Sequence, residues 1–192
     1  MRGGCVFIGG EAMFGSNTPQ IETKRLILRK LKMADAEDLF QVLSDREVNR
    51  FLPWFPHKSI AETKAFLESD VFSDYRKPIA YRYGLEWKQT GAVIGYLSLL
   101  GIDPEKRCGD IGYGLARSFW GRGIMTEAVG ALLARLKADG FRFVTATHDV
   151  NNPASGRVMQ KCGMKYVSSY PEFWMPKEID TVFCLYRADL NG

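Results

Sequence analysis

Cysteine is scarce and scattered: Cys5, Cys108, Cys162 and Cys184 are the four in 192 residues, and none forms a CxxC pair. That spacing argues against a zinc site or a disulfide framework, so reduced thiols and no metal are expected. Long hydrophobic runs are missing too. No segment approaches the ~18 uninterrupted apolar residues of a membrane-spanning helix. The opening "MRGGCVFIGGEAMF" has too short an apolar stretch for a signal peptide, so a cytoplasmic location with no membrane partner is expected. Charge of one sign is nowhere concentrated: 26 Lys and Arg against 22 Asp and Glu give a net +4, spread along the chain. With no stacking motif and no basic helix, nucleic acid is not an expected partner. The GK[ST] ending of a P-loop and the GxGxxG of a dinucleotide fold are both absent.

What is present suits one well-buried domain: 46% hydrophobic and 25% charged residues. Residues 1–20, rich in Gly, Ser and Asn, show no clear periodicity and read as an N-terminal extension, with Met13 an alternative start; the domain is expected over 21–192. "RLILRKL" alternates as a strand does, and "ADAEDLFQVLSD" places Ala36, Leu39, Phe40 and Leu43 at helical spacing. "SIAE" at 59–62 reads as a capping box opening a second helix that runs to about Phe72. An aromatic loop, "NRFLPWFPHKS", lies between these helices. Three strands in succession follow, "IAYRYGLEW", "AVIGYLSLL" and "CGDIGYGL". Val129, Leu132, Leu133 and Leu136 then form a helical stripe closed by Gly140, "RFVTATHDV" is a strand, and "NNPASGRVMQKCG" brackets a short helix between Asn152 and Gly163. "KYVSSY" and "TVFCLYRADL" close the chain as two strands.

The stretch "FWGRGIMTEA" sets two glycines and an arginine directly ahead of a helix. A glycine-rich turn into a helix presents unpaired backbone N–H groups and the positive end of the helix dipole, which together suit an anion such as phosphate. Glycine at 121 and 123 permits unusual dihedrals and lets a ligand approach the main chain. The same sequence also serves as a plain turn.

The ordered set of "DIGYGL", "WGRGIM", a helix, a strand, "NNPAS" and "KCGM" resembles the GNAT acetyltransferases, and within them the ribosomal-protein alanine (Rim-type) branch. "TKRLILRKL" and "FLPWFPHKS" add to the likeness, which covers about residues 22–188. The resemblance implies an α+β fold: one domain with a mixed, twisted sheet of about seven strands, splayed between the fourth and fifth, and about four helices. Acetyl-CoA is then the implied cofactor, wedged into the splay, with no metal. Its six-position pyrophosphate loop falls on Trp120, Gly121, Arg122, Gly123, Ile124 and Met125, the first and last departing from the family pattern. Because such a loop binds through main-chain N–H groups, those departures are compatible with the role, and Arg122 adds a charge-assisted contact. Asn152 and Ser155 match the polar pair that contacts the pantetheine arm; both also suit plain capping roles.

Acetyl transfer to an amine needs a neutral nitrogen, an oxyanion donor and a proton for the departing thiolate. The backbone N–H near Leu115 serves the oxyanion in this reading. Many family members place a tyrosine seven residues after the asparagine; here that position is Met159, so Ser155 is the candidate donor. Asp110 and Glu172 are candidate bases, each also readable as a surface carboxylate; His148 and His57 are weaker ones. Deprotonating a lysine (pKa ~10.4) at pH 7 costs about 4.6 kcal/mol, against about 1 kcal/mol for an α-amine near ~7.8. A site without a strong base therefore suits an N-terminal amine, with Phe51, Trp54 and Phe55 lining the acceptor entrance by resemblance. The alternatives are a small-molecule amine acceptor, an antibiotic or polyamine, and a non-catalytic acetyl-CoA-binding module. The sequence leaves monomer or homo-oligomer open.

Overall fold

The computed structural model describes residues 6–8, 11–14, 17–175 and 177–190. Two short strands, β1 (Val6–Ile8) and β2 (Glu11–Phe14), pair with each other inside the stretch read as an extension. Asn17 and Thr18 are already tied to the domain. The Asn17 amide donates to the carbonyls of Asp74 and Lys77, and the buried Thr18 donates through its N–H to Ala80 O at 2.8 Å.

The remaining strands are β3 (Ile21–Glu22), β4 (Leu26–Arg29), β5 (Tyr81–Trp87), β6 (Val93–Asp103), β7 (Cys108–Leu115), β8 (Phe143–Asp149), β9 (Lys165–Trp174) and β10 (Ile179–Asp189). They form one eight-stranded sheet in the order β3-β4-β5-β6-β7-β8-β10-β9. The expected seven become eight because the two-residue β3 adds to the β4 edge. Every pairing is antiparallel except β7 with β8, and that parallel ladder holds a single partner pair among the described residues, Asp110 with Thr145. The strands part beyond it. Counted from β4, this is the splay between the fourth and fifth strands that the resemblance implies.

The helices are α1 (Ala36–Leu43), α2 (Ile60–Phe66), α3 (Phe72–Asp74), α4 (Ile124–Ala138) and α5 (Pro153–Lys161). A π-turn over Leu67–Val71 joins α2 to α3 without a break, so the described residues hold four α-helical bodies. Local chemistry explains their ends. Ser59 Oγ accepts from Glu62 N at 3.2 Å, and the Glu62 carboxylate reaches back to Lys58 N at 2.7 Å, a capping box shifted by one residue. Asn152 caps α5 through its side-chain oxygen, Pro153 occupies the first helical position, and Gly163 leaves the helix at φ +81°.

One core packs α4 and α5 against the sheet through Leu85, Leu97, Ile111, Ala128, Leu132, Leu136 and, from α5, Met159; a smaller one packs α1 and the α2 turn through Leu39, Leu43, Leu67 and Val71. Full burial of a leucine or isoleucine contributes about 1.5–3 kcal/mol, so Ile124, Leu132 and Leu136 alone anchor α4 firmly.

Candidate active site

Strand β7 ends at Leu115, and a 3-10 turn over Arg117–Phe119 carries the chain to the glycines. Gly121 stands at φ +71° and Gly123 at φ +70°, the left-handed region that L side chains resist. Space is not what demands glycine here: a Cβ at Gly121 would meet nothing, and one at Gly123 only Arg25 Nη2 at 3.8 Å. The dihedral demands it. Gly123 is the N-cap of α4 and offers no side-chain cap, so the first-turn amides of Ile124 and Met125 have no intrahelical or side-chain acceptor among the described residues. Ile124 and Met125 turn their side chains into the core, and the loop is not plugged by them. The Trp120 indole folds back to donate to Leu115 O at 2.7 Å. Arg122 lays its guanidinium over the Phe119 and Trp87 rings, 5.1 and 5.4 Å from their centroids.

The loop is clamped from the far end of the chain. Arg25 Nη1 donates to Arg122 O at 2.9 Å, and its Nε meets Glu127 Oε2 at 2.7 Å. Glu127 Oε1 accepts from Arg25 N (2.8 Å) and Thr23 Oγ1 (2.6 Å). Burial pushes the Glu127 carboxyl up, but the bonds from Thr23 and Arg25 outweigh it and hold it below the usual glutamate range. Sequence reasoning missed this clamp. A glutamate in a first helical turn reads as ordinary dipole complementarity, and nothing local announces a partner 102 residues away.

On the β6 side of β7, Ala116 N donates to Ile94 O at 2.9 Å, so by strand alternation the Leu115 N–H and C=O face away from β6, toward the opening. Ser155 lies in the first turn of α5, half-buried, with its N–H held by Asn152 Oδ1 at 3.3 Å. Its hydroxyl stands 2.8 Å from the phenol oxygen of Tyr113 on β7. Asn152 thus fills a capping role in this structure. Met159 is buried at 1% exposure.

Asp110 is exposed at the closed end of the splay, bonded to Thr145 Oγ1, and alternation places it on the opposite sheet face from Tyr113. Glu172 is exposed on the edge strand β9, opposite Thr181. The two carboxylates share a surrounding: after burial, Glu172 and then Asp110 push the Tyr170 phenol up. Neither is brought against Ser155. His148 is buried, with Nδ1 bonded to Asp149 O at 2.8 Å and Nε2 facing Gly156 without a hydrogen-bond partner among the described residues. His57 bonds Thr63 Oγ1, and burial lowers its pKa.

In the aromatic loop, Trp54 and Phe55 are exposed (39% and 56%), while Phe51 is half-buried under the Arg50 guanidinium. Trp54 Nε1 donates to the buried Asn49 side chain at 3.1 Å. Lys177, between β9 and β10, donates to Asn49 O at 2.8 Å and fastens that hairpin to the loop. Among the described residues no cluster of three His, Cys, Asp or Glu side chains is placed to hold a metal, and no helix is long and apolar enough to cross a membrane. Cys108, Cys162 and Cys184 are free thiols; Cys5 lies outside the described residues.

Comparison with known proteins bears on this geometry. A family model described as an acetyltransferase (GNAT) domain matches residues 25–165. The Bacillus licheniformis protein "Uncharacterized N-acetyltransferase p20" is 34% identical over 113 residues, 58% of this chain and 62% of its own length, so the chain spans about three fifths of that relative. The Salmonella typhimurium acetyl transferase that modifies the N-terminal serine of 50S ribosomal subunit protein L7/L12 superposes with a TM-score of 0.79 at 21% identity, over 90% of this chain and 100% of that one. The microcin C7 self immunity acetyltransferase MccE, solved with acetyl-CoA and AMP, gives 0.77 at 19% identity, over 87% and 93%. These two likenesses speak for the fold. With the family model spanning most of the domain, from the Arg25 clamp through the glycine loop to the start of β9, the chain belongs to the GNAT acetyltransferase family.

Proposed function

We propose that this protein is an N-acetyltransferase that moves an acetyl group from acetyl-CoA to a primary amine, which attacks directly within a ternary complex. The observation that carries this reading is the uncapped first turn of α4 at the mouth of the β7/β8 splay, entered through two left-handed glycines. Bound there, acetyl-CoA supplies the acetyl group as a reactive thioester. The amides of residues 121–125 hold the diphosphate, with Trp120 and Arg122 flanking it and Gly123 setting the turn. Asn152 and Ser155 face the pantetheine end, the Leu115 N–H stabilises developing negative charge, and the Ser155 hydroxyl donates to the sulfur that is released. Asp110 and Glu172 are the candidate bases for the proton that the amine gives up as it attacks.

The acceptor in this reading is the N-terminal amine of a peptide or protein, entering past Phe51, Trp54 and Phe55. The α-amine argument supports it, as does the fold shared with the Salmonella typhimurium enzyme. The buried Met159 keeps a rival in play: a module that binds acetyl-CoA without turnover. Mass spectrometry of a panel of free-N-terminus peptides, polyamines and aminoglycosides after incubation with acetyl-CoA decides among them. Acetylated peptide N-termini are expected. Acetylation confined to small amines would replace the acceptor assignment, and binding without transfer would replace the enzyme with the module.

A further inference from the structure

Past Asp110 and Thr145 no strand pairing among the described residues joins the two parts of the sheet, β3 to β7 on one side and β8, β10 and β9 on the other. β7 and β8 are parallel, so both run to that open end, stopping at Leu115 and Asp149. The β9/β10 ladder goes further. Phe183 pairs with Asp149, and pairing continues to Ile179 opposite Trp174. The turn between β9 and β10 therefore overhangs the open end of the splay, and Lys177 sits in it. From the other side, the chain just past β7 is fixed to the loop that follows α1. Arg117 Nε donates to Asp45 Oδ2 at 2.8 Å, and Asp45 O accepts from Asn49 N (3.1 Å) and Asn49 Nδ2 (2.8 Å). Asn49 is fully buried, and its amide also donates to Val42 O and Leu43 O at the end of α1. Lys177 Nζ then donates to Asn49 O at 2.8 Å and to Arg50 O at 3.3 Å. The path Arg117, Asp45, Asn49, Lys177 thus crosses from one side of the splay to the other without a strand ladder.

We propose that Lys177 is a positioning residue: it bolts the β8 side of the split sheet to the loop fixed beside β7, and so holds the splay at the width the pantetheine arm requires. The inference rests on the acetyl-CoA reading above. Lys177 is half-buried between the exposed Met175 and Glu178, whereas the ammonium of a plain surface turn stays in water. Burial lowers its pKa, and it has no carboxylate partner among the described residues, so the two carbonyls offset the lost hydration. A slot held at one width is competent to bind before its ligand arrives. A slot whose free end drifts is competent for part of the time, and affinity falls by that fraction. The diphosphate site lies off this path, since its amides open α4 and its clamp runs from Arg25 to Glu127.

The test is calorimetric titration of the full chain with coenzyme A and with ADP, which carries the diphosphate and lacks the arm. If release of Lys177 leaves the slot competent for about a tenth to a third of the time, Lys177→Met should bind coenzyme A about three- to tenfold more weakly than wild type. Its ADP affinity should be unchanged. Its melting temperature should move little, since Lys177 lies outside both cores. Arg117 has its one side-chain hydrogen bond among the described residues with Asp45, and α1 also holds that loop, so Arg117→Met should weaken coenzyme A less. In the Lys177→Met background it should add nothing, because the loop no longer bears on the turn. Coenzyme A affinity in Lys177→Met equal to that of wild type overturns the proposal. Equal weakening of coenzyme A and ADP overturns it too, by placing the damage at the glycine loop or in the fold at large. An Arg117→Met effect that persists in full without Lys177 overturns the path between them. Absence of binding of either ligand by wild type overturns the proposed function itself.

Discussion

Replacing Gly123 by valine separates the shape of the loop from its chemistry. At φ +70° a β-branched residue is strained by about 1–3 kcal/mol, and no side chain crowds the position, so the penalty is one of backbone conformation alone. Gly91, at φ +75° in the turn between β5 and β6, is equally open and lies outside the glycine loop. Gly91→Val is therefore a matched control. Each variant should lose about 2–4 °C of melting temperature per kcal/mol, and by similar amounts. Their ligand binding should differ. If the strained loop swings even one first-turn amide off the diphosphate, a charge-assisted bond worth about 1.5–3 kcal/mol goes with it, roughly 10- to 100-fold in coenzyme A affinity. Calorimetric titration of both variants measures this directly. Equal coenzyme A affinities in two folded, equally destabilised proteins would refute the assignment of the diphosphate to the main chain of residues 121–125.

Glu127→Gln keeps the shape of the clamp and removes its charge. Because the folded carboxyl titrates below its unfolded value near ~4.3, its contribution is present above that pH and fades as pH falls through the folded pKa. The stability gap between wild type and variant should be widest near neutrality and close in acid, measured by urea unfolding across pH; a gap that widens in acid refutes the clamp's electrostatics. Gly156→Ala should cost about 1–3 kcal/mol, since its Cβ would sit 2.6 Å from His148 Nε2. In a His148→Ala background the same change should be close to neutral, and additive effects in that double-mutant cycle would contradict the contact. Burial raises the Cys162 thiol to about 11, so iodoacetamide near pH 8 should leave it unmodified in the native protein and label it after unfolding; rapid native labelling, read by peptide mass spectrometry, would count against its burial.

Much of the fold was legible because it is written in local periodicity and caps. "CGDIGYGL" is β7 to the residue, Asn152-Pro153 and Gly163 bracket α5, and Ser59 opens α2 as its spacing to Glu62 requires. The glycine loop was legible for a similar reason, since a left-handed turn before a helix leaves few residue types besides glycine. The π-turn at Leu67–Val71 was not, because one inserted residue in a helical stripe changes the period too little to stand out. Nor were the short β1, β2 and β3, whose pairing partners and not their composition make them strands.

The sequence by itself determined where strands and helices lie and which turn can present bare amides, because dihedral preference and hydrophobic period act within a few residues. Only the tertiary structure decided that Arg25 grips the loop through Glu127 and that Tyr113 meets Ser155, 42 positions later. Such side-chain hydrogen bonds depend on which elements the core brings together, and residues that far apart leave no mark in any local pattern.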